Sequence, residues 1–553
     1  MVYPKIPLAQ SIINIALAKE LTQIVISPGS RNAPLTIGFV NNPAFTCYSI
    51  ADERCAAFFA MGIAQQTRKP VAVICTSGSA LLNYYPAFAE AFYSQIPLVI
   101  ISADRPSSKI DIGDGQTIRQ RNVFKNHSLY NANLTENNRG QNELDINEAI
   151  NTALTSRGPV HINAPFEEPL YETTTKISND FYIEEPFDFE YLKDFSIKKY
   201  FVDYWNSSSK KLVLVGVDYP NVLSQENIDF LANNNSVVVF TETTSNVHHS
   251  SFINNIDSII TPFAETDCQN FRPEILITFG GMIVSKRIKA MLRKHQPNEH
   301  WHVDELRAYN TFGVYPEHFE MTPNQFFDQL RAVSKKVEST YYQEIDAVKQ
   351  LREKRTKEYL DKIPFSDFKA FKHIIESLPR DSMLQISNSS AIRYAQLIDI
   401  DPTISVFCNR GTSGIDGSAS TAIGAAVASE KQTIFITGDI SFFYDSNALW
   451  NSYIPTNFKI ILINNGGGGI FRILPGHEET PVFNQFFETS HCLTAEHLAR
   501  MYGFEYQNAS SVATVKDAIR NMYSLNQKPF LLEIFTPTLE NDKILLQFFN
   551  ELV

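Results

Sequence analysis

Features that would point to a membrane or to nucleic acid are missing from this sequence of 553 residues. No stretch approaches 18 uninterrupted apolar residues, so we expect no membrane insertion. Lysine and arginine total 48 against 60 aspartate and glutamate residues, and the resulting net charge of −12 argues against nucleic acid as a partner. Phosphate backbones require a basic surface. Small anionic ligands remain compatible with this charge, because they need only a local basic pocket.

Cysteine is also scarce, and the six cysteines show no metal-type spacing. Isolated thiols are typical of a reducing compartment, so we expect a cytoplasmic protein. Gln10, Lys19 and Glu20 interrupt the apolar run near the start of the chain, and no small-residue cleavage site follows, so we expect no signal peptide. There is no low-complexity tract, and 44% apolar with 20% charged residues is ordinary for a globular protein.

Apolar runs and helical patterns alternate along most of the chain. In the first unit the predicted strands lie at 24–26, 71–75 and 97–102, and the predicted helices at 8–20, 53–65 and 80–93. In the later units the predicted strands lie at 211–216, 237–240, 275–279, 383–386, 404–407, 433–436, 459–463 and 530–535. Such alternation predicts doubly wound parallel sheets, whose ligands lie beyond the carboxyl ends of the strands.

Two stretches divide this pattern into three units. An acidic, aromatic stretch after about residue 165 is typical of a linker, and a charge-rich run at 334–362 predicts a solvated helical connection. We therefore predict an α/β protein with three doubly wound parallel-sheet domains, at residues 1–180, 195–340 and 360–553.

Two neighbouring predicted strands end in side chains that suit a hard cation. One leads into Gly438-Asp439 and the other into Asn464-Asn465-Gly466-Gly467. The 24 residues between Asp439 and Asn464 allow a helical crossover that brings the strands parallel. Mg²⁺ prefers oxygen ligands and commonly uses phosphate oxygens, which glycines allow a backbone to approach. Either motif alone is typical of a turn, but the pair predicts a metal and phosphate site.

This pair resembles the signature of the thiamine-diphosphate decarboxylase superfamily. Further stretches, in the expected order from residue 27 to about 474, resemble the branch of that superfamily that acts in menaquinone biosynthesis. They are Ser27-Pro28-Gly29-Ser30-Arg31, Asp52-Glu53-Arg54, Thr76-Ser77-Gly78, Ala103-Asp104-Arg105-Pro106, Gly115-Gln116, Asn388-Ser389 with Arg393, residues 409–417, and Gly469-Ile470-Phe471. The resemblance implies a transferase that decarboxylates 2-oxoglutarate and adds the remaining four-carbon carbanion to isochorismate.

The resemblance also implies thiamine diphosphate, held through Mg²⁺ or Mn²⁺ in a site shared by two subunits. Asp439, Asn465 and the Gly467 carbonyl fall on the metal-ligand positions. Glu53 falls on the position of the carboxylate that contacts the aminopyrimidine, although by itself it suits a helix N-terminus equally well. The other expected cofactor contacts are Thr76, Asn388, Ser389, Ser413, Ile415, Gly438, Ile440, Ser441 and Ile470. By spacing alone, Ile415 would be assigned to the core.

Both implied substrates carry two carboxylates, which an acidic protein must bind with local cations, preferably arginines. Arginines lie at or just beyond predicted strand ends at Arg31, Arg105, Arg393 and Arg410. Any one of them could be an ordinary surface charge, but we expect the four at one rim, joined by Lys286 and Arg287. The remaining residues of the predicted catalytic set are Ser30, Gln116 and Ser389 as hydrogen-bonding groups and Ile470, Phe471 and Leu474 as an apolar wall.

Arg472 stands where a smaller polar residue is common in the family, and could change how the second substrate is held.

Two alternatives to the implied function stay open. One is another thiamine-diphosphate-dependent 2-oxo acid decarboxylase or carboligase, against which the arginines argue. The other is a non-catalytic subunit of the same fold, which would be expected to lose Glu53 or a metal ligand. Because the site is shared, we expect a homodimer or a dimer of dimers.

Overall fold

The computed structural model describes residues 2–177, 180–186, 196–473, 476, 478–525 and 527–553. Its strands form three parallel sheets and one two-stranded antiparallel ribbon, with helices interleaved between the strands. The predicted α/β class with three parallel sheets is therefore confirmed. The predicted site residue Leu474 lies outside the described residues.

The first sheet is built from the N-terminal part of the chain. Its region contains β1 Tyr3–Pro4, α1 Pro7–Ala18, β2 Gln23–Ile26, α2 Ala33–Val40, β3 Thr46–Ser49, α3 Glu53–Thr67, β4 Val71–Cys75, α4 Ser79–Asn83, α5 Tyr85–Ser94, β5 Leu98–Asp104, β6 Asn131–Asn133, α6 Arg139–Thr155, β7 Val160–Pro165 and β8 Thr173–Thr174. The strand order is β3-β2-β4-β5-β7-β6, and β1 pairs with β8 in the separate ribbon.

The second sheet follows in the middle of the chain. Its region contains α7 Lys199–Ser207, β9 Lys211–Val215, α8 Gln225–Ala232, β10 Val237–Thr241, α9 Ile256–Ile260, α10 Glu265–Phe271, β11 Ile275–Phe279, α11 Lys286–Lys294, β12 Glu299–Val303, β13 Pro316–Phe319 and α12 Pro323–Val333. The strand order is β10-β9-β11-β12-β13. The long helix α13, Tyr341–Lys362, leads to the last part of the chain.

The third sheet carries the predicted metal motif. Its region contains α14 Asp367–Ile375, β14 Met383–Ile386, α15 Ser390–Ala395, β15 Ser405–Phe407, α16 Ser418–Val427, β16 Thr433–Gly438, α17 Asp439–Tyr444, β17 Phe458–Asn464, α18 Pro481–Phe483, α19 Glu496–Met501, β18 Glu505–Ala509, α20 Val512–Ser524, β19 Phe530–Phe535 and α21 Asn541–Glu551. The strand order is β15-β14-β16-β17-β19-β18.

The three sheets repeat one topology without an evident sequence repeat. Numbered within its own sheet, each begins 2-1-3-4, and the first and third sheets share the complete order 2-1-3-4-6-5. The central strands are buried on both faces. In β4, for example, Ala72 and Ile74 belong to one core while Val71 and Val73 belong to another. This two-sided burial explains why such strands are continuous apolar runs in the sequence.

Three predicted elements differ from the structure. The helix expected at 80–93 is split into α4 and α5 at Tyr84, because Pro86 has no N–H group with which to continue the first helix. The helix expected from residue 334 begins only at Tyr341. The stretch expected to be a linker contributes a short strand, β8, whose Thr174 pairs with Tyr3.

Two helices join the N-terminal and C-terminal regions of one chain. A Cβ placed on Gly62 of α3 would lie 2.1 Å from the Thr421 carbonyl oxygen, and one on Gly424 of α16 would lie 1.9 Å from the Phe59 carbonyl oxygen. Only glycine allows backbones to approach so closely. The α3–α16 contact therefore fixes the first and third sheets relative to each other. None of the described helices has the length and apolar character needed to cross a membrane.

Candidate active site

A cavity with a volume of about 140 Å³ lies at the carboxyl ends of β14 and β16. In the third sheet these neighbouring strands form the topological switch point, where ligands of open α/β sheets commonly bind. All residues lining this cavity belong to the C-terminal region of the chain. Eleven of them were predicted site residues, namely Asn388, Ser389, Ile415, Gly438, Asp439, Ile440, Ser441, Asn465, Gly467, Ile470 and Phe471.

Asp439 lies at the first turn of α17, and its side chain is only 3% exposed. The Ile440 N–H group donates to its Oδ1 (2.7 Å), and the Gly466 and Gly467 N–H groups donate to its Oδ2 (2.9 and 3.0 Å). The Asp439 carboxylate therefore ties the end of β16 to the loop after β17. This contact confirms that the two halves of the predicted motif meet at one edge of the sheet.

Asn465 is held in a fixed orientation beside Asp439. Its Nδ2 donates to Asp367 Oδ2 (2.9 Å), and its carbonyl oxygen accepts from Thr538 Oγ1 (2.7 Å). Its amide oxygen has no donor among the described residues, and Asn465 is one of the residues that line the cavity. Burial raises the pKa of Asp367 to about 6, although its hydrogen bonds to Thr536 and Asn465 lower it. Asp367 thus orients Asn465 so that oxygen, the atom that binds hard cations, is available.

The oxygen set at this edge fits a hard divalent cation. It combines the Asp439 carboxylate, the amide oxygen of Asn465 and the carbonyl of Gly467, which among the described residues accepts only the Gly469 N–H group (3.0 Å). Within the described part of the chain, no group of three or more His, Cys, Asp or Glu side chains could hold a metal. A cation here would have one charged protein ligand and would need further oxygens, such as those of a diphosphate.

The loop between β15 and α16 forms another wall of the site. Asn388 Nδ2 donates to the carbonyl oxygens of Asn409 and Gly414 (both 2.7 Å), and its Oδ1 accepts from Arg410 Nη1 (2.7 Å). Ser441 Oγ donates to the Ile415 carbonyl oxygen (2.9 Å). Ser413 lies on the same loop in a left-handed conformation, with φ 61°. These contacts place the Ile415 side chain at the cavity rather than in a core.

Glu53 lies in the N-terminal region, at the first position of α3, after the N-cap Asp52. Its carboxylate has no hydrogen-bond partner in the part of the chain that the structure describes. It lies close enough to Cys75 and Tyr84 to raise the pKa of both groups, although burial is the larger cause in each. Glu53 is not among the residues that line the Asp439 cavity.

The other predicted residues of the N-terminal region surround the switch point of the first sheet. The Arg31 N–H group donates to Thr76 Oγ1 (3.3 Å), linking the loops after β2 and β4. The guanidinium of Arg31 donates to the Phe166 carbonyl oxygen (3.0 Å) and to Glu168 (3.1 Å). Ser30 is exposed on the same loop. The switch point of the first sheet corresponds to the position that the Asp439 cavity occupies in the third sheet.

Gln116 is exposed, has a left-handed φ of 54°, and its backbone lies against Gly78. Arg105 Nη2 donates to the Gly115 carbonyl oxygen (3.0 Å), which fixes the approach to Gln116. Gln120, which the sequence did not single out, accepts from the Gly78 N–H group (2.8 Å) and donates to Asn163 (2.9 Å). The structure therefore brings the Gln116 segment to the same rim as Arg31 and Thr76.

The four predicted arginines do not share one rim within a chain. Arg31 and Arg105 contact the N-terminal region, whereas Arg393 and Arg410 belong to the third sheet. Burial and then the nearby Arg410 guanidinium lower the pKa of Arg393, while Arg287 acts in the same direction and Asp257 opposes it. Because the predicted site is shared by two subunits, the meeting of all four arginines at one rim stays a prediction.

The central region contributes one cation to the Arg393–Arg410 group. Arg287 lies near Arg393 and stacks on the Phe549 ring at 4.3 Å from its centroid. Lys286 precedes it at the start of α11, next to Lys289, whose pKa is lowered chiefly by burial. The Nε atoms of Arg393 and Arg410 are buried without a partner among the described residues. Arg287, Arg393 and Arg410 thus form a cationic group with unused donors.

Arg472 is not among the residues that line the Asp439 cavity, but it lines an adjoining pocket together with Arg393 and Asn465. It is 3% exposed and makes a paired contact with Glu488, at 2.5 and 2.7 Å, and a further one with Glu479. The Glu488 carbonyl oxygen accepts from the Gly468 N–H group (2.6 Å). The donors of Arg472 are therefore directed at carboxylates of its own chain, and an effect of Arg472 on how the second substrate is held stays a prediction.

Several residues that hold the site were missed in the sequence. Asp367 follows the N-cap Ser366, so its sequence context is that of an ordinary helix start. Glu488 and His491 lie more than 20 residues beyond the Asn465 motif, yet His491 Nε2 lies 3.3 Å from Asp439 Oδ2. No local signal in the sequence marks these side chains, because their partners are distant along the chain.

The comparisons with known proteins agree with this geometry. Residues 7–130 match the family described as thiamine pyrophosphate enzyme, N-terminal TPP binding domain, and residues 389–534 match its C-terminal TPP binding domain. The fold and the paired rims therefore define a thiamine pyrophosphate (thiamine diphosphate) enzyme.

Curated relatives narrow the class. The chain is 64% identical over 553 residues to the 2-succinyl-5-enolpyruvyl-6-hydroxy-3-cyclohexene-1-carboxylate synthase of Flavobacterium johnsoniae, with 100% of each chain covered. It is 65% identical over 552 residues to that of Flavobacterium psychrophilum, again with 100% of each covered, and 50% identical to that of Christiangramia forsetii, covering 100% of this chain and 99% of the relative.

The chain belongs to the 2-succinyl-5-enolpyruvyl-6-hydroxy-3-cyclohexene-1-carboxylate synthase family. It is therefore a thiamine-pyrophosphate-dependent transferase of menaquinone biosynthesis, which confirms the expected enzyme class and organic cofactor.

Proposed function

We propose that the protein joins 2-oxoglutarate to isochorismate. The reaction releases one carboxylate of 2-oxoglutarate as CO₂ and forms a carbon–carbon bond, giving 2-succinyl-5-enolpyruvyl-6-hydroxy-3-cyclohexene-1-carboxylate. The observation that carries the substrate assignment is the group of Arg287, Arg393 and Arg410, of which Arg393 lines a pocket together with Asn465 and Ile470 of the Asp439 cavity. Unpaired guanidinium donors at a site of this kind suit substrates that carry two carboxylates.

Thiamine diphosphate supplies the electron sink for loss of CO₂ when it is bound. Residues of this chain would hold both its diphosphate and its aminopyrimidine. Asp439, Asn465 and the Gly467 carbonyl would hold Mg²⁺ or Mn²⁺ against the diphosphate, while Ile415 would support the ring system from the cavity wall. Glu53, whose carboxylate has no protein hydrogen-bond partner in the described chain, would hold a proton at the aminopyrimidine. The other predicted cofactor contacts are Thr76, Asn388, Ser389, Ser413, Gly438, Ile440, Ser441 and Ile470.

The remaining side chains would bind and orient the substrates. Arg287, Arg393 and Arg410 would take carboxylates, with Lys286 adding charge from the start of α11. On the other rim Arg31, Arg105, Ser30 and Gln116 would face the same substrates, with Ser389 as a further donor. Ile470 and Phe471 line the cavity and would keep water from the reacting carbons. The assignment of Leu474 to this apolar wall rests on its position in the sequence.

We infer that the working unit is a homodimer, or a dimer of such dimers. The Asp439 cavity is lined by the C-terminal region alone, which supports a site that Glu53 and Arg31 of a second copy would complete. The third-sheet region exposes the apolar side chains of Tyr444 (54%), Trp450 (56%), Phe486 (70%) and Phe487 (54%). Apolar groups exposed together commonly mark an interface.

Subunit complementation tests this dimer. Mixing separately purified Glu53→Gln and Asp439→Asn chains, with brief unfolding to exchange subunits, would create heterodimers in which one site carries neither change. About a quarter of all sites would then be intact for a symmetric pair. We expect activity to return in the mixture and not in either variant alone. No recovery despite proven exchange would contradict a shared site.

The six cysteines are all free thiols, which supports a reducing, cytoplasmic location. The three sheets support domains at residues 1–180, 195–340 and 360–553, with α13 as the connection to the last one. We expect each to contain one sheet and its covering helices.

The substrate assignment is tested with purified protein, thiamine diphosphate and Mg²⁺. Release of labelled CO₂ from carboxyl-labelled 2-oxoglutarate is measured with and without isochorismate, and loss of isochorismate is followed by its absorbance. We expect CO₂ release and isochorismate consumption in equal amounts. A matched arm replaces 2-oxoglutarate with pyruvate, which lacks the second carboxylate. Faster turnover of pyruvate alone would favour a simple 2-oxo acid decarboxylase instead.

A further inference from the structure

A buried carboxylate of the N-terminal region contacts the loop that carries Arg410 and Ile415. Glu90 lies on α5 and is 1% exposed. Its Oε1 accepts from the Gly411 N–H group (2.6 Å), and its Oε2 accepts from the N–H group and hydroxyl of Thr412 (2.6 and 2.7 Å). Ser94 Oγ, one turn further along α5, donates to Oε1 (2.8 Å). Four donors therefore converge on one side chain.

These four donors specify a carboxylate. Each oxygen accepts two hydrogen bonds, so no position remains for a proton, and an amide at this place would direct its own N–H groups at the Thr412 donors. Hydrogen bonds to a charged acceptor are the strong ones. Because Gly411 and Thr412 belong to the third-sheet region, the loop is bound from outside its own domain.

The loop is fixed from two sides. On its inner side Asn388 accepts from Arg410 and donates to Gly414, and Ser441 donates to the Ile415 carbonyl oxygen. On its outer side Glu90 holds Gly411 and Thr412, which lie between Arg410 and Ile415 in the chain. A Cβ on Gly411 would lie 2.5 Å from the Glu90 carbonyl oxygen, so the loop backbone is pressed directly against α5.

Glu90 is not needed to hold the two domains together. The α3–α16 contact does that through backbone packing at Gly62 and Gly424. The Glu90 carboxylate contacts the third-sheet region only at Gly411 and Thr412, as far as the described chain shows. Three of its four hydrogen bonds therefore act on the geometry of one loop.

We propose that Glu90 is a positioning residue, which sets the place of Arg410 toward the substrate carboxylate and of Ile415 toward the cofactor. The placing of Arg410 toward the substrate rests on the proposed function. The placing of Ile415 toward the cofactor requires only that the chain is a thiamine pyrophosphate enzyme. One subunit would thus use its own N-terminal domain to shape the site that a second subunit completes.

The first test is hydrogen exchange of the cofactor-free protein, for wild type and Glu90→Gln. We expect the peptide containing Gly411 and Thr412 to exchange at least about tenfold faster in the variant, because two amide donors lose a charged acceptor. Peptides from β14 and β16 should be unchanged. Ser94→Ala is the matched control, because it removes one donor to Glu90 and leaves the three hydrogen bonds from the loop to Glu90 in place.

The second test separates positioning from general stability. For Glu90→Gln we expect metal-dependent thiamine diphosphate binding to weaken about tenfold and the KM for 2-oxoglutarate to rise, with a smaller change in kcat. Ser94→Ala should match wild type in both. Should Glu90→Gln fold poorly, Thr412→Val removes the hydroxyl donor alone and should change the same quantities in the same direction, by a smaller factor.

The outcomes distinguish this proposal from the proposed function. Unchanged exchange at Gly411 and Thr412, or a lower melting temperature with unchanged cofactor binding and KM, would overturn the role of Glu90. Failure of the wild-type protein to consume isochorismate would instead overturn the substrate assignment. In that case the exchange and cofactor-binding measurements still decide on Glu90.

Discussion

The first and third sheets have the same strand order, 2-1-3-4-6-5, but their switch points carry opposite kinds of chemistry. In the third sheet a buried carboxylate, Asp439, collects backbone N–H groups and leaves oxygen atoms facing a cavity. In the first sheet Glu53 has no hydrogen-bond partner in the described chain, and Arg31 lies close to Thr76. Under the proposed function, one topology would therefore provide an anchoring rim around Asp439 and a proton-handling rim around Glu53, and the loops would decide which role each rim has.

The largest expected effect comes from removing the proton-handling group. Glu53→Gln keeps the size of the side chain and loses its acid–base function, so we expect turnover to fall about 10³-fold. Metal-dependent cofactor binding, measured by calorimetry, should change by less than about threefold. Glu20→Gln, an exposed residue of the same domain, is the control. Loss of cofactor binding in parallel with turnover would remove the contrast between the two rims.

The converse change is Asp439→Asn on the anchoring rim. An amide in place of the carboxylate loses the one charged ligand and directs an N–H group at backbone donors, so we expect the affinity for thiamine diphosphate with Mg²⁺ to fall about 100-fold. Titration of the variant with cofactor at several metal concentrations measures this. Because the cation needs diphosphate oxygens, each ligand should bind weakly without the other. Tight metal binding in the absence of cofactor would contradict the anchor.

The central sheet also has a buried carboxylate at a strand end, Glu242, and the pH dependence of stability tests its ionisation. Glu242 follows β10 and accepts from the Val284 and Ser285 N–H groups (2.6 and 2.7 Å) at the start of α11. Burial raises the pKa of Glu242 to about 7, and Asp257 acts with burial, while these two N–H groups and Arg410 oppose it. Since the pKa is raised on folding, its stabilising contribution is complete below about pH 4.5 and is lost as the pH rises through 7.

We therefore expect Glu242→Gln to lose less stability at pH 8 than at pH 5, by on the order of 1–3 kcal/mol. Melting temperatures of wild type and variant across this range measure the difference. Glu242→Met, which also cannot titrate, should give the same dependence on pH with a different offset. A difference that does not vary with pH would show that Glu242 stays ionised throughout.

The smallest expected effect concerns the start of α3. Asp52 Oδ1 accepts from the Cys55 N–H group (3.2 Å), and its Oδ2 accepts from Asn447 (2.8 Å). Asp52→Ala should reduce stability by about 1 kcal/mol through loss of the helix cap. Asp52→Asn retains a capping oxygen and should cost less. Because Glu53 is the next residue, turnover should fall together with stability in the alanine variant. If stability alone changes, α3 positions Glu53 without help from the Asp52 cap.

Burial explains which parts of the fold could be predicted. The strands at 71–75, 275–279, 383–386 and 530–535 match the structure residue for residue, because central parallel strands are unbroken apolar runs. The edge strands β3, β6 and β18 were missed, since their polar, partly exposed residues resemble loops. The break at Tyr84 could have been found from Pro86.

The candidate site was predictable where its residues follow strand ends. Asn388, Asp439 and Asn465 were found in this way, and they line one cavity. The partners Asp367, Glu90 and Glu488 were not found, because each acts on a residue distant in sequence. Nor could the sequence show that Arg31 and Arg393 lie on different rims of one chain, which depends on how the domains pack.

The backbone contact between α3 and α16 has a consequence for motion. At Gly62 and Gly424 the two helices leave no space for even one added carbon atom, so the first and third domains of one chain cannot slide past each other without separating. We therefore expect each subunit to move as a rigid body. Entry and release of the cofactor would then be governed by small separations between subunits, and would slow when the subunits are crosslinked to each other.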